Sequence, residues 1–212
     1  MLLAHAGREG LMGIRRATAG DPLRVLVSGC LAGWQCGVDG TDYGMGSVLR
    51  EFLALPAVRA VPFCPEEYAI GTPRGMPDIH GGDGHDVLEG RARVLDEKGA
   101  DLTEKMVAGA QAMLAKAQAE RVELAVLTDM SAACGSQVIS DGCRLVELRK
   151  YRKGVGVAAA LLLRSGIAVV AQRDHRTMGE IRALLDPGLA VSAEAIDHHE
   201  TAWYREYFKP GA

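Results

Sequence analysis

The sequence has no run of basic residues. Its 24 Lys and Arg are scattered among 27 Asp and Glu, for a net charge of −3 at pH 7 and a pI near 6.1. A surface that wraps nucleic acid leaves an electrostatic footprint, and none is present, so a long nucleic acid is not an expected partner. No apolar run reaches the roughly 18 residues a membrane helix needs, so no membrane partner is expected either. The opening stretch "MLLAHAGREGLMGIRRATAGDP" starts apolar, but His5, Arg8 and Glu9 interrupt it before a signal-peptide core is complete. Residues 1–22 are expected to be a loose N-terminal extension, and the protein to be cytoplasmic. There is no internal repeat, no low-complexity stretch and no Cys-x-x-Cys knuckle. The five cysteines, Cys30, Cys36, Cys64, Cys134 and Cys143, are dispersed. Without an export signal disulfides are not expected, which leaves metal ligation or catalysis for thiols outside the core. A chain of 212 residues suffices for one domain with a genuine core.

Four short apolar runs are present: Leu23–Gly29, Val58–Cys64, Glu123–Met130 and Gly166–Gln172. Each is rich in Val, Leu or Ile without polar alternation, the signature of parallel strands covered on both faces. Helical patterns lie between or beyond them: Met45–Leu55, Asp101–Arg121, Val155–Arg164 and Met178–Leu185. In the longest, Met106, Val107, Ala110, Met113, Leu114 and Ala117 recur at helical spacing, and Asp101 stands three residues before Glu104 as a capping signal. Strands alternating with helices predict a single α/β domain, a mainly parallel four-stranded sheet with helices on both faces in a Rossmann-like arrangement. The long Gly/Pro/Asp-rich segment 66–99 is expected to be functional or to carry small strands of its own. Within it "VLEGRARVLDEKG" reads as a small β-hairpin insertion with turns at Glu89-Gly90 and Lys98-Gly99.

In open parallel sheets, ligands bind beyond the carboxyl ends of the strands. Cys30 directly follows the first run, Cys64 closes the second and Cys134 lies a few residues past the third. Three thiols remote in sequence are thus expected at one sheet edge. A single such cysteine would more often be apolar filler; three at equivalent positions point to a shared ligand. Three thiolates suit zinc with water in the fourth position, or an iron–sulfur cluster with one iron lacking a protein ligand. Spacing does not separate the two, because the ligands come from separate strands, although thiolate softness leans towards iron–sulfur.

The stretches "VSGCLAGWQCGVDG", "CPEEYAIGTPRGMPDIHGGDG", "VLEGRARVLDEKGADLTEKMVAGA" and "SAACGS" followed by "ISDG" resemble the TudS-type thiouracil desulfurases, from Val25 to about Val170. That family's pattern runs roughly S-x-C-L-x-G-x-x-C-x-x-D-G, then C-P-E with T-P-R, G-D-G, G-x-A-R-V-x-D and S-P-S-C-G. The resemblance implies an α/β protein with a [4Fe-4S] cluster on three cysteines. Its unliganded iron would capture the sulfur of a thiocarbonyl substrate, and water would replace that sulfur without net redox change. By position the implied ligands are Cys30, Cys64 and Cys134, with Cys36 in reserve as the second thiol of the first motif. Cys143 matches nothing in the pattern and reads as a bystander. The chain departs from the pattern in three places: Ser131-Ala132-Ala133-Cys134-Gly135 stands for S-P-S-C-G, Thr128-Asp129 stands where many members have lysine, and Tyr68-Ala69-Ile70-Gly71 precedes T-P-R. These departures bear on the pocket and leave the proposed ligands intact.

The expected activity is cluster-dependent, non-redox desulfuration of thiolated nucleobases or related small thiocarbonyl compounds, with release of sulfide. The rival readings are a zinc-dependent hydrolase on the same cysteines and a non-catalytic sulfur or iron carrier or redox sensor. Glu66, two residues from Cys64, is the candidate general base, and Ser131 the candidate hydrogen-bond donor to substrate or oxyanion. Arg74 either orients substrate through its planar fork or fixes the long loop against an acid. Asp39 reads as a turn former. Asp78, His80, Asp83 and His85 are a minor metal candidate and read mainly as solvated loop residues. Asp174-His175 shares the productive sheet edge. "DHHE" at 197–200, near Trp203, Tyr204 and Phe208, reads as a charged docking helix within a C-terminal helical extension, 191–212, that follows a desulfurase-like domain at 23–190.

Overall fold

The computed structural model describes residues 14–44 and 46–209. In chain order the elements are β1 (Leu23–Ser28), α1 (Gly46–Leu53), β2 (Val58–Phe63), α2 (Pro65–Ala69), β3 (Asp78–His80), α3 (Gly84–Leu88), β4 (Arg93–Leu95), α4 (Thr103–Ala119), β5 (Leu124–Leu127), β6 (Val138–Ser140), β7 (Tyr151–Lys153), α5 (Val157–Arg164), β8 (Ala168–Ala171), α6 (His175–Leu185) and α7 (Ala202–Tyr207). The four apolar runs form one parallel sheet in the order β2-β1-β5-β8. No helix among the described residues is long and apolar enough to cross a membrane.

Alternate strand residues feed two cores, which is why the runs carry no polar alternation. Leu26, Ala125, Leu127 and Val169 pack with Met106, Ala110 and Met113 of α4 and Leu162 of α5. Val25, Leu124, Val126 and Val170 pack with Leu49 and Phe52 of α1 and Met178 and Ile181 of α6. Each large side chain fully removed from water contributes about 1.5–3 kcal/mol. Phe52, wholly buried, is the residue whose truncation to Ala should cost most, about 3–5 kcal/mol.

Two glycines set close approaches that bear on the sheet edge. A Cβ on Gly109 would meet the Pro65 carbonyl oxygen at 2.2 Å, so α4 passes tightly against the start of α2. A Cβ on Gly156 would lie 2.4 Å from the Ala133 carbonyl carbon, so the start of α5 presses on the Cys134 loop. The first amide groups of a helix lack intrahelical partners; in α5, Val157 and Ala158 donate theirs to the carbonyls of Ala132 and Ala133, at 2.8 and 2.9 Å.

The long insertion differs from the expected hairpin. Its antiparallel pair is β3 with β4, so only one of the two strands lies in "VLEGRARVLDEKG". Glu89 and Gly90 end the short helix α3 instead of turning a hairpin, with Asp83 as its N-cap accepting from His85 and Asp86. A second antiparallel pair, β6 with β7, follows the Cys134 loop and was not anticipated. The predicted Asp101–Glu104 box is also incomplete: Asp101 accepts from Thr103 N at 2.9 Å, and Leu102 occupies the cap position of α4 with no side-chain cap. Of the expected N-terminal extension, residues 1–13 lie outside the described residues. Within 14–22, Ala17 is buried and Arg15 donates to both Glu123 and Asp21.

Candidate functional site

The sheet order reverses at β1, with β2 on one side and β5 on the other, so a crevice opens beyond their carboxyl ends. Cys30 sits in a 3₁₀ turn, Gly29–Ala32, directly after β1. Cys64 follows β2 and is the N-cap of α2; its sulfur accepts from Glu67 N at 3.4 Å, and Pro65 occupies the first helical turn, where a missing N–H costs nothing. Cys134 lies in the loop between β5 and β6, where Ser131 Oγ accepts from its amide at 3.1 Å. All three, together with Cys36, line a single cavity of about 730 Å³ that also includes Glu66 and Ser131. Cys143 is only half-buried.

These thiols are buried and sense one another. Burial pushes Cys30 up to about 11, opposed by a contact with Thr128 Oγ1 at 3.1 Å and reinforced by Cys64. Burial likewise raises Cys64 and raises Cys134 far above an ordinary thiol, with Cys30 and Cys64 adding to the effect. Cys36 is raised for the same reasons, burial first and Cys64 next. Thiols that oppose each other's ionisation become good ligands when a cation takes up the negative charge.

Beside the thiols stands an ion pair largely shielded from solvent. Arg74 Nη2 is 2.6 Å from Glu66 Oε2, with the two side chains 4% and 12% exposed. Arg74 also donates to the carbonyls of Cys36 at 2.9 Å and Gly71 at 3.1 Å and to Thr72 Oγ1 at 2.9 Å. Its fork is thus used in fixing the long loop and in holding Glu66. The other Glu66 oxygen accepts from Ser131 Oγ at 3.1 Å. Ser131 thus touches the candidate base and also caps the turn that follows it, accepting from the amides of Ala133 and Cys134.

The remaining sequence candidates separate. Asp39 accepts from Thr41 N in a turn, as expected. Asp78 is buried and bound by Arg144 and Ser140, Asp83 caps α3, and His85 Nδ1 accepts from Arg164 Nε at 3.0 Å; they are engaged separately in structural roles and are not solvated as a group. Asp174 is wholly buried, and burial, with Asp197 beside it, pushes it up to about 6; His175 lines the cavity. The expected charged helix at "DHHE" is instead a 3₁₀ turn, His198–Glu200, before α7, with Asp197 and His198 buried. His198 Nδ1 lies 2.6 Å from Asp129 Oδ2. Burial alone would raise Asp129, but the His198 bond and the amides of Gln137 and Ser136 bring it below the usual carboxylate range. Sequence reasoning missed this pair, although the Asp129 departure from the family pattern was a signal. Arg144, a cavity-lining residue, was missed as well and carried no sequence signal.

The molecule is an α/β domain in which cysteines gather beyond the carboxyl edge of a parallel sheet, in one cavity with a largely shielded glutamate. The chain belongs to the 2-thiouracil desulfurase family, whose model matches residues 25–174. It is 34% identical over 151 residues to the uncharacterized protein YbbK of Bacillus subtilis (strain 168), covering 71% of this chain and 96% of that protein. Among solved structures it matches the [4Fe-4S]-dependent thiouracil desulfidase TudS with a TM-score of 0.62 and 30% identity, over 76% of this chain and 99% of that one.

Proposed function

We propose that this chain is a [4Fe-4S]-dependent desulfurase of small thiocarbonyl compounds of the thiouracil type, with Cys30, Cys64 and Cys134 as the cluster ligands and Glu66 and Ser131 as the catalytic pair. The observation that carries the reading is the meeting of three buried thiols, from three separate strand ends, in one cavity with Glu66 and Ser131. The donor set fits the group, being all thiolate and shielded from water. A single zinc ion with Zn–S bonds of about 2.3 Å draws tetrahedral thiolates to roughly 3.8 Å apart. Among the described residues the three thiols do not form a group with ligand atoms all within 4.8 Å; Asp174, Asp197 and His199 do. A cluster binds each thiolate to a different iron and so accommodates wider spacing, which favours it over zinc.

When bound, such a cluster supplies a soft Lewis-acidic iron without a protein ligand, matched to a thiocarbonyl sulfur. The net change is C=S + H₂O → C=O + H₂S, which needs no external electrons. Glu66 takes the proton from the attacking water, worth roughly 10²–10⁴ in rate for a positioned general base. Arg74 holds that carboxylate through one oxygen, leaving the oxygen that faces Ser131 as the acceptor. The Ser131 hydroxyl, which donates to that Glu66 oxygen at 3.1 Å in the free protein, turns its one proton to the oxygen that develops charge at the reacting carbon and so frees the carboxylate oxygen to accept from water. The cavity, about 730 Å³, is large enough for a ring with a substituent. The test is anaerobic reconstitution with iron and sulfide quantitation, then a panel of thiopyrimidines and thiopurines as base, nucleoside and nucleotide. Sulfide release from at least one class is expected, and none from a cluster-loaded protein would overturn the assignment.

A further inference from the structure

The family match ends at residue 174, and 96% of the Bacillus relative is accounted for within 151 matched residues. Asp197 to Phe208 therefore lies outside the matched region, yet its His198 touches Asp129, which lines the cavity. Asp129, at the start of the Cys134 loop, uses Oδ1 to accept from the amides of Ser136, Gln137 and Val138, at 2.9, 3.0 and 3.2 Å. One carboxylate oxygen thus ties the far side of the loop back to its beginning. The other, Oδ2, is held by His198 Nδ1 at 2.6 Å, with both side chains almost wholly buried.

The hydrogen bonds close into a ring. Gln137 Nε2 donates to both oxygens of Asp174, at 2.6 and 2.7 Å. His198 N donates to Asp174 Oδ1 at 3.0 Å, and His198 returns through its ring nitrogen to Asp129. The histidine is itself fixed on two sides. Preceding it, Asp197 accepts from Thr177 N at 2.9 Å and Thr177 Oγ1 at 2.7 Å, which pins the segment to α6. Beyond it, the His198 ring stacks on Trp203 at 5.6 Å with an 11° interplanar angle. Trp203 stacks on Tyr207, whose hydroxyl accepts from Tyr151 N at 2.8 Å. Tyr151 begins β7, the partner of β6, and β6 is the strand into which the Cys134 loop runs.

We infer that the C-terminal segment is a brace for the cysteine loop, in which His198 is a positioning residue that fixes Ser131 and Cys134 through Asp129. The brace grips the loop at its first residue and, through β7, at its exit strand. A hydrogen bond to a charged, buried partner is worth enough that its loss raises the open population of the loop roughly ten-fold or more. The inference concerns loop geometry in the cluster-free chain, and its importance for catalysis rests on the reading of Cys134 as a ligand.

The test is residue-resolved alkylation of the cluster-free, reduced full-length protein by iodoacetamide, read by mass spectrometry. In His198→Phe, which keeps a ring against Trp203 but removes Nδ1, Cys134 should be modified roughly ten-fold faster while Cys30 and Cys64 keep their wild-type rates. His198→Asn, whose amide nitrogen can reach Asp129 as Nδ1 does, should restore most of the protection. If His198→Phe does not fold, Trp203→Leu loosens the same histidine while leaving its hydrogen bond, and should produce a smaller rise confined to Cys134. Equal acceleration of all three thiols, or none, in whichever variant folds would overturn the brace, as would failure of His198→Asn to rescue. Iron uptake and sulfide release are measured separately. A wild-type protein that takes up no cluster, with the selective alkylation pattern present in the His198 variants, refutes the cluster reading and leaves the brace standing.

Discussion

Removing Arg74 tests the coupling at the centre of the site. In Arg74→Met the Glu66 carboxylate keeps its bond from Ser131 but loses its cation, and the carbonyls of Cys36 and Gly71 lose a donor. Breaking a buried pair by deleting one partner costs about 3–5 kcal/mol, and the side chains here, 4% and 12% exposed, justify the buried range over the surface one. For a chain of this size that cost lowers Tm by roughly 6–20 °C. Glu66→Gln retains an acceptor for both neighbours and should cost less, about 1.5–3 kcal/mol for the weakened charged hydrogen bonds. The double variant buries no unpaired charge, so its cost should fall short of the summed single costs by about 1–3 kcal/mol. The assay is urea unfolding of the cluster-free protein under reductant, because any bound group adds its own stabilisation. Single costs that add in the double variant within about 0.5 kcal/mol would show that Arg74 does not hold Glu66 and would refute the reasoning.

Glu66→Gln should retain iron and colour but slow turnover roughly 10²–10⁴-fold; an undiminished kcat would reassign the base. Asp174, pushed up to about 6 by burial and by Asp197, binds its proton more readily folded than unfolded. Its stabilising contribution is therefore complete below the unfolded value near 3.9 and is lost as pH rises through about 6. Against Asp174→Asn, wild-type stability should fall by about 2–3 kcal/mol between pH 4 and 7, and a flat difference in urea midpoints over that range would contradict the assignment.

The parallel sheet was legible because each strand is buried on both faces, so Leu26 and Val25 are both apolar although they enter different cores. Strand ends were legible for the same reason, since Cys30 and Cys64 mark the points where two apolar runs stop and Cys134 follows the end of a third by a few residues. The small pairs were not. Strands of three residues, such as Asp78–His80 and Val138–Ser140, are too short for a period to register, and their partners are chosen by tertiary packing. The apolar spacing of α4 was readable over its 17 residues, whereas α2 and α3, at five residues each, are set by caps. Within the site, Glu66 and Ser131 were found through their nearness to cysteines in sequence. The Asp129–His198 bond joins residues 69 positions apart, and no local pattern reports a contact of that range. The contact between Ser131 and Glu66 likewise emerged only from their nearness in space.

The most direct test of the central claim is the iron and acid-labile sulfide content, per chain, of anaerobically reconstituted wild type and of single Cys→Ser variants at positions 30, 64, 134 and 143. The account predicts about four irons and four sulfides in wild type and in Cys143→Ser, with loss in each of the other three. A full iron complement in Cys64→Ser, or stoichiometric zinc with no iron in wild type, would contradict it.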